Sequence, residues 1–124
     1  MADRMRGIYP VLATPYTEDD RLDHDGLTSQ VDFCLKCGSH GLVYPVLGGE
    51  FEYLSEAERH DGIRTVIAAA GGRVPVVAGV AAPTSSVAAA FAHDAAAAGA
   101  DAVIALPPYV ASASLDEIFD YYQA

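Results

Sequence analysis

The chain lacks tryptophan, holds a single lysine (Lys36) and is short of positive charge. Seven Lys and Arg stand against 17 Asp and Glu, for a formal net charge of −10 over 124 residues. A surface of that sign repels phosphate backbones and anionic headgroups, so neither nucleic acid nor a membrane surface is an expected partner. One local pocket can still oppose the global charge, which leaves a small anionic substrate open. Cysteine is scarce as well, and two residues give no reason to expect a disulfide. No apolar run approaches the ~20 residues of a membrane span. The charged N-terminus leads into a segment broken by Pro10, without a signal-peptide core, so a cytoplasmic location is expected. What the chain has in quantity is apolar residues. At 52% hydrophobic it is too apolar for disorder and has enough for the core of one domain.

Four short apolar runs, at 7–13, 41–47, 74–80 and 102–106, are bounded by Gly or Pro, rich in Val, Ile and Leu, and do not alternate. That pattern suits parallel strands buried on both faces. Helical stretches lie between them. Leu27, Val31, Cys34 and Leu35 recur at a 3.6-residue period within 27–37. Ser55-Glu-Ala-Glu58 is a capping box, opening a helix that ends at Gly71-Gly72. Thr84 or Ser85 can cap the Ala-rich helix that stops at Gly99, and Ser114-Leu-Asp-Glu117 is a second capping box. From Ile8 to Leu42 and from Leu42 to Val76 is 34 positions each, and from Val76 to Val103 is 27. A (β/α)8 barrel uses about 30 residues per unit. The expected fold is therefore α/β, the N-terminal half of a TIM barrel: four βα units within residues 1–124, the last helix incomplete. A doubly wound sheet shares the pattern, but its G-x-G-x-x-G fingerprint is missing where Ala13-Thr14-Pro15-Tyr16 stands.

Barrel enzymes place their chemistry at strand C-terminal ends. That rule selects Thr14, residues 48–50, residues 81–83 and residues 107–109. Thr14 either donates to a bound oxygen or braces its turn. Glu50 acts on a loop or as a base, or else serves as a structural hydrogen-bond acceptor. Tyr109 is a site phenol or a wall. Cys34-x-x-Cys37-x-x-His40 has metal-like spacing, yet a fourth ligand is missing, and His24, His60 and His93 show no paired spacing. Redox pairs use a helix N-terminus to lower the thiol pKa, whereas these cysteines sit at a helix C-terminus. Both are expected to be buried small hydrophobes, and no metal site is expected. His60 and His93 are expected on the solvent faces of helices.

Taken in order, Thr14-Pro15-Tyr16, Leu47-Gly-Gly-Glu50-Phe51, Leu54-Ser55-Glu56-Ala-Glu58-Arg59, Gly72-Arg-Val-Pro-Val-Val-Ala-Gly79 and Leu106-Pro-Pro-Tyr109 resemble the dihydrodipicolinate synthase/N-acetylneuraminate lyase family of class I aldolases. The resemblance runs from about Arg6 to Tyr122. Within the family, Gly48-Gly-Glu-Phe51, Leu106-Pro-Pro-Tyr109 and Ala113-Ser-Leu-Asp-Glu117 look most like the 5-dehydro-4-deoxyglucarate dehydratase branch. The resemblance implies a barrel, usually tetrameric, in which a lysine forms a Schiff base with pyruvate or another 2-oxo acid, without metal or organic cofactor. It implies substrate contacts at Thr14, Gly48, Gly49, Glu50 and Tyr109.

Three departures stand out. The family's Thr-Thr-Gly-Glu is Leu47-Gly48-Gly49-Glu50, so both hydroxyls are lost and the amides of Gly48 and Gly49 are left as an anion nest. Its Tyr-Tyr is Tyr109-Val110, which leaves Tyr109 as the nearest phenol for proton transfer. Its Schiff-base lysine falls beyond Ala124, while Lys36 sits at the end of the first helix and is read as a solvated charge at a helix C-terminus. The chain alone is therefore expected to be inactive. The other reading is a non-catalytic half-barrel that self-associates through its unpaired edges.

Overall fold

Three strands, β1 (Leu42–Tyr44), β2 (Val76–Gly79) and β3 (Ala102–Ile104), form a parallel sheet in the order β1-β2-β3. Leu42 pairs with Val76 and Tyr44 with Ala78, then Val77 with Ala102 and Gly79 with Ile104. The structure is a computed structural model that describes residues 5–124; residues 1–4, the start of the charged N-terminal stretch, lie outside it. Four helices alternate with the strands: α1 (His24–Lys36), α2 (Glu56–Ala70), α3 (Ser85–Ala98) and α4 (Leu115–Gln123). They pack in sequence, α1 on α2, α2 on α3 and α3 on α4. The result is an α/β array of parallel βα units, with no reversal of strand order among the described residues.

The run at 7–13 departs from expectation. It lies beside β1, but only Val11 bridges Val43, so it is an extended segment rather than a regular strand. Pro10 has no N–H to give, and three backbone bonds hold the segment: His40 N–H to Ile8 O, Val43 N–H to Pro10 O, and Leu12 N–H to Val43 O. The other three strands are also shorter than the runs that announce them. Beyond Tyr44 the chain turns through Pro45 into a 3-10 turn, and beyond Ile104 it enters the proline loop.

Helix ends follow local chemistry. Asp23 caps α1 by accepting from the Gly26 amide at 3.0 Å. Ser55 with Glu58 and Ser114 with Glu117 form complete capping boxes on α2 and α4. Thr84 occupies the cap position of α3 but makes no cap bond; its hydroxyl pairs with Ser86 Oγ instead. The core lies between the sheet and helices α1–α3 and includes Leu27, Val31, Leu42, Tyr44, Ile63, Val66 and Ala78. Gly79 lets the ends of β1 and β2 close together, because a Cβ there would sit 1.6 Å from the Pro45 carbonyl oxygen.

Cys34 is half-buried and Cys37, the C-cap of α1, is exposed, so the expectation of two buried thiols fails at Cys37. A helix C-cap stands where the chain leaves the packed surface, and burial raises the pKa of Cys34. No cluster of three or more metal-ligating side chains occurs among the described residues. No helix among them is long and apolar enough to cross a membrane.

Candidate active site

The residues beyond β1 build one wall of a cavity of about 340 Å³ at the C-terminal ends of the strands. Its lining is apolar, with Val11, Val43, Leu47, Phe51, Ile104 and Leu106 around Gly48. Two 3-10 turns, Leu47–Gly49 and Phe51–Tyr53, are joined by Glu50 in the left-handed conformation at φ 55°. The Gly49 amide donates to Val46 O at 2.7 Å and the Glu50 amide to Leu47 O at 3.0 Å. The amides of Leu47 and Gly48 precede the first bond of the turn, and such N-terminal N–H groups have no partner within their own helix. In an apolar wall they are the donors suited to an anion. Of the two amides expected to form the nest, that of Gly49 is committed to the turn, whereas that of Gly48 precedes its first bond together with the amide of Leu47.

Thr14 is buried rather than open to a substrate. Its hydroxyl reaches the Gly49 carbonyl oxygen and lies 3.1 Å from the Tyr44 hydroxyl. Of the two readings of Thr14, the brace is the one present. Glu50 is exposed and its side chain makes no hydrogen bond among the described residues, so its structural role is the left-handed joint and not an acceptor. Tyr109 packs edge-on against Phe51, with ring centroids 5.8 Å apart, and does not itself line the cavity. Burial raises its pKa, and nearby Arg59 opposes that shift. Val110 is exposed and supplies no phenol. Lys36 is exposed in the last turn of α1, at the end of the βα unit away from the cavity. His93 is exposed, whereas His60 is half-buried, tilted at 45° against the Phe91 ring and 3.4 Å from Asp94 Oδ2.

Arg59 and Tyr44 escape a sequence reading. The Arg59 guanidinium is buried between the Phe91 ring, 3.9 Å from its centroid, and the Phe51 ring at 5.1 Å. It donates to Ala81 O at 3.0 Å and Gly79 O at 3.1 Å, tying the end of β2 to the wall formed by Phe51. Its Nε has no partner among the described residues, and burial lowers its pKa. The signal for it was periodic: Arg59 shares a helical stripe with Ile63, Val66 and Ala70, a charge in an apolar register. Tyr44 had the weaker signal of one phenol inside an apolar run, where a buried hydroxyl requires a partner.

Known proteins agree with this architecture. The chain is 33% identical over 120 residues to the probable 2-dehydro-3-deoxy-D-pentonate aldolase YjhH of Escherichia coli, covering 97% of this chain and 40% of that protein. It is 36% identical over 118 residues to a 4-hydroxy-tetrahydrodipicolinate synthase of Rhizobium meliloti, covering 95% and 40%. The crystal structure of YagE, a prophage protein of the dihydrodipicolinic acid synthase family from E. coli K12 in complex with pyruvate, superposes with a TM-score of 0.90 at 32% identity, covering 94% of this chain and 39% of that one. The chain thus spans about 40% of the length of the curated relatives it matches. These relatives carry aldolase and synthase names, not the dehydratase name of the branch that Gly48-Gly-Glu-Phe51 and Leu106-Pro-Pro-Tyr109 resemble. Matched from residue 4 to residue 124, the chain belongs to the dihydrodipicolinate synthetase family.

Proposed function

We propose that this chain is the N-terminal part of a Schiff-base-forming lyase acting on a small 2-oxo acid, pyruvate or a keto-deoxy sugar acid. The observation that carries the reading is the amide pair of Leu47 and Gly48 at the mouth of an apolar cavity, in a chain of this family. The amides receive the substrate carboxylate, and the 2-oxo carbon faces a lysine supplied by the rest of a longer polypeptide. That amine displaces the carbonyl oxygen as water and leaves an iminium that drives carbon–carbon or carbon–oxygen cleavage. Residue 110, a valine, gives no proton, so proton transfer falls to another group. The working protein is a cytoplasmic homo-oligomer, a tetramer on the family pattern, that needs neither metal nor organic cofactor.

Borohydride trapping tests this reading on the polypeptide its host makes. Incubation with pyruvate and reduction is expected to label one lysine past residue 124. An adduct on Lys36, or none, would overturn the reading. A specific observation favours a second reading, a non-catalytic half-barrel that pairs with a copy of itself. Ile8 at one edge and Val103 and Ile104 at the other are exposed. A host product of only these 124 residues that elutes as a dimer would support it, and a monomer would exclude it.

A further inference from the structure

Tyr44 ends β1 and is fully buried. Its ring fills a slot that exists because position 62 on α2 is glycine. A Cβ there would lie 2.7 Å from the ring Cε1 and 3.0 Å from the hydroxyl. The hydroxyl is 3.1 Å from Thr14 Oγ1, which also reaches the Gly49 carbonyl oxygen. Counting protons fixes the direction of this chain. A carbonyl oxygen carries none, so Thr14 donates to Gly49 and is left to accept from Tyr44. Burial keeps the Tyr44 phenol protonated and able to donate. On its other side, the Gly49 amide is fixed to Val46 O. Both polar groups of Gly49 are therefore held, immediately after the amides of Leu47 and Gly48.

We propose that Tyr44 is a positioning residue for 2-oxo acid binding: through Thr14 it orients the turn whose Leu47 and Gly48 amides receive the carboxylate. The ligand rests on the function proposed above, whereas the orientation of the turn does not. Such a relay couples the segment of Thr14 to the stretch that runs from Tyr44 to Gly49, 30 to 35 positions on, and each bond in a buried chain strengthens the next.

The test uses the host-made protein. Tyr44→Phe keeps the ring and its slot but removes the donor, which frees the Thr14 hydroxyl to rotate. The pyruvate concentration giving half-maximal borohydride trapping is expected to rise about five- to tenfold, the loss of one hydrogen bond's orientation, while the rate at saturation holds. The Leu47 and Gly48 amide resonances should shift in the same variant. Thr14→Val, similar in shape but without a hydroxyl, should reproduce both effects, and Thr14→Ser should restore both. A lower melting temperature with unshifted amides and unchanged half-saturation would mark a merely structural role and overturn the proposal. Failure of the wild type to trap pyruvate would overturn the functional reading alone, because the amide shifts judge the positioning without ligand.

Discussion

β1 and β3 flank the same central strand and have the same length, yet their surroundings differ. All three residues of β1 are buried, whereas Val103 and Ile104 of β3 are about half exposed. β1 has the 7–13 segment on one side and β2 on the other. β3 pairs only with β2, and no segment among the described residues covers its outer edge. The helices repeat the contrast. α2 buries Arg59, Gly62, Ile63, Val66 and Ala70, whereas α4 buries Tyr121 alone. Apolar composition shows that a strand is made for burial on both faces; which face is filled depends on neighbours.

The largest effect should come from the closed flank. Leu42→Ala removes a fully buried side chain from β1 and should cost about 3 kcal/mol, while Val103→Ala on β3 should cost less than about 0.5 kcal/mol. Urea unfolding of the pair checks this, and equal costs would erase the distinction. Arg59→Ala strips two carbonyls of their donors and should cost about 2 kcal/mol in the same assay. A stability unchanged from wild type would mean that water replaces the guanidinium.

Tyr121→Phe sharpens the contrast at its open side. The phenol donates to Ala82 O and accepts from Ala82 N–H, so its loss should cost about 1 kcal/mol and speed hydrogen exchange in α4 but not in α2. The smallest effect is acid-dependent. Bonds from the Ser55 hydroxyl and amide hold the Glu58 carboxylate below its ordinary pKa of 4.5, and Ser114 does the same for Glu117. A lowered folded-state pKa adds stability that is complete above the ordinary value and lost as pH falls through the folded one. Acid should therefore loosen both helix starts, and Glu58→Gln should flatten the acid limb of the α2 transition followed by amide exchange.

Much of this was legible where the cause is local. Ser55 with Glu58 and Ser114 with Glu117 lie three residues apart, and the capping box is a short-range bond pattern. Gly71 and Gly99 end their helices for an equally local reason. Thr84 looked equivalent and is not, because Ser86 offers its hydroxyl a competing partner. The apolar cavity at the strand ends followed from the parallel βα pattern, while the amides left open beside it did not. Which amides a 3-10 turn leaves open depends on where the turn begins, and here those are Leu47 and Gly48 rather than Gly48 and Gly49. Thr14, Tyr44 and Gly49 meet across 30 and 35 positions of sequence, and Arg59 reaches β2 across 20, distances at which spacing carries no signal.

The clasp of Tyr121 on Ala82 also bears on how the molecule would come apart. Between Ile104 and Leu115 no residue belongs to a helix or strand, and beyond it α4 is fastened by that clasp, by the Tyr122 hydroxyl bond to Ala105 O and by its packing on α3. To a protease this stretch is the seam. A cut there would leave α4 joined to this part of the fold by side chains alone, and its departure would take the Tyr121 hydroxyl from both the N–H and the carbonyl of Ala82.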